Sequence, residues 1–156
     1  MGNNKYVKIH SLVRMFAALL AIAVFISMFI AKQIVHANYD NLFFNWTETF
    51  FGGDGFKASV FGFIGYLFVF IGGLAGLAFV FIDELIGKDL TKKLAFVAGG
   101  LALAGGLLIL LFAPMFIGIN DFKYLTTGAG PIVFGIFGVI VGAINIAAPI
   151  LEDKGR

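Results

Sequence analysis

"ASVFGFIGYLFVFIGGLAGLAFVFI", residues 58–82, runs 25 positions without a charged side chain. A helix rises 1.5 Å per residue, so ~20 such residues cross the ~30 Å of a bilayer's hydrocarbon. Glycine sits in the middle of the stretch and phenylalanine toward its ends. That order suits a helix packed closely at its centre and broad where it meets the interface.

Three further stretches match it, at 12–36, 94–119 and 131–151, and the whole composition follows. Of 156 residues, 60% are hydrophobic and 13% charged, and the mean hydropathy is +1.00. A soluble domain carries about 25% charged residues, and here the charges fall in short patches between the apolar blocks. Glycine and proline in the third and fourth stretches would discourage a soluble helix but are tolerated in a membrane span. Lys5, Lys8 and Arg14 precede the first stretch, and "VHA" at 35–37 looks like a cleavage site. The run from Met15 to Ala31 nevertheless exceeds the 7–15 residues of a signal-peptide core, so it reads as a retained span.

Four spans place both termini on one side. Lys5, Lys8, Arg14, Lys88, Lys92, Lys93, Lys154 and Arg156 fall with the termini and the middle loop "DELIGKDLTKK", whereas Lys32, Lys57 and Lys123 fall opposite. The positive-inside rule makes the richer side cytoplasmic. The expected fold is an all-α, single-domain integral membrane protein: a compact glycine-rich bundle of four transmembrane helices, multi-pass in the cell membrane with cytoplasmic termini. Its outer loops are 37–57 and 120–130, and its inner loop is 83–93.

The first outer loop contains "NLFFNWTETFF", residues 41–51. At 100° per residue, Asn41, Asn45, Glu48 and Thr49 share one face, while Phe43, Phe44, Trp46, Phe50 and Phe51 fill the other. Strand alternation fits less well, because Phe43 and Phe44 would point opposite ways. The expectation is a short amphipathic helix in the interface, with Asp40 as its N-cap and Gly52–Gly53 as its stop. Its rings would meet membrane lipids, the ends of the spans, or a partner protein. "NWT" also matches a glycosylation sequon, a pattern too short to weigh.

There are 21 glycines. Gly65, Gly72 and Gly76 in the second stretch, Gly99 and Gly106 in the third, and Gly135, Gly138 and Gly142 in the fourth are the candidate packing positions. Gly72/Gly76 and Gly138/Gly142 form GxxxG, and Gly128, Gly135 and Gly142 recur every seven residues. Missing side chains let helix backbones approach in lipid, either within one chain or between chains.

Reactive groups are sparse. Cysteine is absent, which excludes disulfides and thiolate sites. No ionisable residue falls at the centre of a stretch, where it would point to transport; Arg14, Lys32, Asp83 and Glu84 sit at span ends and can snorkel. His10 and His36 lie on opposite sides and cannot share a metal. Asn145 and Tyr66 are the intramembrane polar candidates. Asn145 can bond across helices or to a carbonyl freed by Pro149, or line a pathway.

The chain resembles small multidrug transporters in span number, but "AALLAIAVFISMFIA" (17–31) lacks their membrane-embedded glutamate. It is similar to rotary-ATPase proteolipids in length and glycine content, but "GAINIAAPI" (142–150) lacks their carboxylate. Claudin-like proteins share the threading and a tryptophan in the first outer loop, yet their cysteine pair is missing and 21 residues leave too little room for their outer sheet.

These readings lead to a non-catalytic structural or accessory subunit of a larger membrane assembly, without cofactor, metal or nucleic-acid partner. It would pack against other subunits or its own copies through glycine-lined faces and the aromatic loop. Two alternatives stand beside it: a transport or channel component that forms a pathway as an oligomer, and a lipid-binding or membrane-shaping protein.

Overall fold

The computed structural model describes residues 3–154. The side chains of Lys5, Lys8, Asp40, Asp83, Glu84 and Lys154, and all of Arg156, lie outside the described residues. The chain runs α1 (Asn3–Ile30), β1 (Ile34–His36), β2 (Tyr39–Phe44), α2 (Trp46–Phe51), α3 (Val60–Ile86), α4 (Lys88–Ile119), β3 (Leu125–Thr127) and α5 (Ala129–Lys154). Helices α1, α3, α4 and α5 are long and apolar enough to cross a membrane. Helix α4 packs most extensively, against α3 on one side and α5 on the other, and α1 lies against α3 and α5.

The glycines explain the close fit. A Cβ on Gly105 would stand 2.6 Å from the Gly65 carbonyl oxygen, and one on Gly65 2.8 Å from that of Gly105. Gly72 lies against Ala98 and Ala102, Gly99 against Gly142 and Ile146, and Gly106 against Gly135 and Gly138. Gly76 faces the side chain of Asn145. Each of the eight candidate packing glycines is thus pressed on a neighbour inside its own chain. Gly128 lies before α5 and abuts the Lys32 carbonyl, so the seven-residue series splits between the seam and the end of the bundle. Gly100 and Gly118 face open space.

The segment expected as an inner loop is almost entirely helical. α3 continues to Ile86 and α4 starts at Lys88, leaving Gly87 alone between them at φ 84°. Charged residues at 83–93 are compatible with helix, and only the glycine is suited to the left-handed turn. The Thr91 amide and hydroxyl both donate to the Gly87 carbonyl, at 3.1 and 3.0 Å.

At the opposite end the first span stops at Ile30, short of the expected residue 36. The Gln33 amide donates to the carbonyls of Met28 (3.0 Å) and Ala31 (3.3 Å), satisfying acceptors that a helix end leaves open. The chain then enters an antiparallel sheet of order β2-β1-β3. Ile34 pairs with Phe44 and Thr127, Val35 with Phe43 and Thr126, and His36 with Tyr39 and Leu125, with a bulge between Val35 and His36.

Two expectations are corrected here. Residues 41–51 are not one helix: Tyr39–Phe44 is strand, and only Trp46–Phe51 is helical. The helix begins where Asn45 supplies a capping box. Its side chain accepts from the Glu48 amide (3.1 Å), and the Glu48 carboxylate accepts from the Asn45 amide (3.0 Å). Asn45, not Asp40, therefore holds the N-cap position. Nor is the chain purely α: β1 and β2 come from the first connection and the third strand from the connection between α4 and α5. Phe43 is exposed and Phe44 half-buried, the alternation a strand requires.

Candidate interaction surface

Helix α2 lies across the ends of the spans because its underside is apolar and its chain is tied down. Phe50 is fully buried, with ring centroids 5.2 Å from Phe112, 6.0 Å from Tyr66 and 6.3 Å from Phe63. The Ser59 amide donates to the Thr49 carbonyl at 2.9 Å. Asn120, at the end of α4, grips the return to α3: its Oδ1 accepts from the Lys57 amide (2.6 Å) and its Nδ2 donates to the Lys57 carbonyl (3.0 Å).

Pinned in this way, α2 presents Trp46 and Phe51 to the side of the bundle, where they join rings from two spans. The centroids run Phe70 to Phe25 (4.6 Å, stacked), Phe25 to Phe29 (5.6 Å), Phe29 to Trp46 (5.0 Å), Trp46 to Phe51 (6.2 Å) and Phe51 to Phe63 (5.6 Å). The spacings Phe25/Phe29 and Phe63/Phe70 keep each pair on one helix face. The result is a six-ring ladder along the groove between α1 and α3. Phe29 and Phe51 are 48% and 58% exposed, and the other four are half-buried. Edge-to-face and offset pairs at these distances are favourable by ~0.5–1.5 kcal/mol each beyond burial, so the ladder is a stiff surface.

The five aromatic candidates of the loop therefore have three fates. Trp46 and Phe51 belong to the ladder, and Phe50 is core. Phe44 turns inward to a second knot with Phe56, Phe116 and Phe122, which seals the sheet onto α4. Phe43 faces outward, with the Lys32 ammonium 4.8 Å from its ring centre. Phe25, Phe29, Phe63 and Phe70 are not among the sequence candidates, although their i+4 and i+7 spacings are a signal for them.

The two polar candidates are not brought together. The Tyr66 hydroxyl donates to Gln33 Oε1 at 3.3 Å, beneath the sheet. Asn145 donates to the Gly72 carbonyl at 3.3 Å, about 9 Å farther along α3 by helical rise. Both side chains have no exposed surface. Asn145 Oδ1 has no hydrogen-bond partner, so its amide bonds across helices with one end only. Arg14, expected to snorkel, is 6% exposed and faces into the bundle one turn from Ala17. Among the described residues no three His, Asp or Glu side chains converge on a metal-sized site. The chain matches no protein-family model, and no curated protein is significantly similar to it.

Proposed function

We propose that this chain is a non-catalytic accessory subunit of a membrane assembly, and that its partner is a transmembrane helix of another subunit lying in the α1–α3 groove against the aromatic ladder. The observation carrying this reading is the continuous run of six rings with Phe29 and Phe51 exposed at its rim. Rigid aromatic side chains with few rotatable bonds lose little entropy on docking and are the usual energetic anchors of interfaces. The glycine seams are occupied inside the chain, so intermolecular packing falls to this groove. Both termini face the cytoplasm of the cell membrane, on the strength of eight basic residues against three, and the sheet faces outward.

Gentle extraction from the native membrane followed by native mass spectrometry tests the reading. The intact chain should carry another polypeptide in fixed stoichiometry, and Phe29→Ala with Phe51→Ala should lose it while leaving the fold intact. A lone chain, or a complex indifferent to the two substitutions, would overturn the proposal.

A further inference from the structure

The face of the sheet holds a second feature, separate from the ladder. A cleft of about 390 Å³ is lined by His36, Leu42, Phe43, Phe44, Phe122, Lys123, Tyr124 and Leu125. It lies where α1 ends at Ile30 and α4 at Ile119, the level at which apolar helix gives way to polar loop. Its apolar residues are contiguous, since the rings of Phe44 and Phe122 are 6.0 Å apart.

The polar groups share one character. Lys123 contributes an ammonium and Tyr124 a hydroxyl. His36 Nδ1 accepts from the Asn38 amide at 3.2 Å, which leaves Nε2 to carry the proton and donate. Lys32, outside the lining itself, stands over the ring of Phe43. Among the described lining residues none is acidic. An apolar floor at the hydrocarbon boundary, under a rim of cations and donors, complements an amphiphile with an anionic head.

We infer that this cleft binds the headgroup and upper chain segments of an anionic phospholipid, the phosphate meeting Lys123 and His36 and the chains leaving over Leu42 and Phe43. The volume is at the small end of ligand pockets, enough for that part of a lipid and not for all of it. The occupant is a lipid rather than a free anion because five of the eight lining residues are apolar and the cleft lies at the level where the spans end.

The test uses the full chain in phosphatidylcholine nanodiscs, with phosphatidylglycerol titrated in and retained lipid counted by native mass spectrometry. One phosphatidylglycerol should be held per chain in preference to phosphatidylcholine. Lys123→Ala with His36→Ala should weaken retention about tenfold. Leu42→Trp, which fills the cleft without changing charge, should do the same, whereas Lys57→Ala, a cation of the same end outside the cleft, should have no effect. Equal losses from Lys57→Ala, or none from Leu42→Trp, would reduce the effect to surface charge and overturn the inference. Complete displacement by inorganic phosphate would also overturn it, in favour of a plain anion site.

Discussion

Replacing Gly105 by alanine puts one methyl group into a close backbone-to-backbone contact of the α3–α4 seam. Its Cβ would stand 2.6 Å from the Gly65 carbonyl oxygen and 2.8 Å from the Val69 amide nitrogen, where ordinary contact begins at 3.4 Å. Backbone atoms cannot rotate away, so the helices must part locally by about 0.8 Å. A gap of that size forfeits roughly a quarter to a half of each atom pair's attraction. Over a few dozen pairs at ~0.1–0.2 kcal/mol apiece the loss is ~2 kcal/mol, within the ~1–3 kcal/mol typical of overpacking. Gly100 lies on the same helix and faces open space; there alanine should be neutral or stabilising by up to ~1 kcal/mol through helix propensity. Unfolding of both variants in bicelles, followed by circular dichroism against a denaturing detergent, measures the contrast. Equal shifts for the two substitutions would refute the claim that close backbone contact holds the bundle.

Asn120→Ala removes both bonds to the Lys57 backbone, and amides of residues 56–59 should exchange with deuterium about tenfold faster, the equivalent of ~1.4 kcal/mol. Asn45→Ala breaks the capping box and should cost ~1 kcal/mol, read as early exchange confined to α2. Asn145→Leu loses one cross-helix bond but also an unpartnered oxygen, so stability should change by no more than ~1 kcal/mol. Ion flux in liposomes should be the same for that variant and the parent; a flux that Asn145→Leu abolishes would move the polar interior from packing to transport.

The spans were legible because a helix that crosses hydrocarbon must be apolar along its whole length, and the runs around Gly65, Gly105 and Gly138 meet that condition locally. The turn at Gly87 is not legible from charge, because Asp89, Lys92 and Lys93 are as compatible with helix as with coil. The sheet was hidden for a different reason. β1 gains its second partner from Leu125–Thr127, far along the chain, and Tyr39–Phe44 is decided by that neighbourhood rather than by its own period. Asn120 carries no local pattern that marks it, because the Lys57 backbone it holds is brought within reach only by the folded chain. The ladder is intermediate: its spacings are local, but that α1, α2 and α3 align their rings is a tertiary fact.

The most direct test of the account places a photocrosslinking amino acid at position 51, on the rim of the ladder, and at position 111, an exposed leucine of α4, in cells. The account predicts a discrete polypeptide adduct from position 51 and only lipid adducts from position 111. Lipid adducts alone from both positions, or the same polypeptide from each, would contradict a partner seated in the α1–α3 groove.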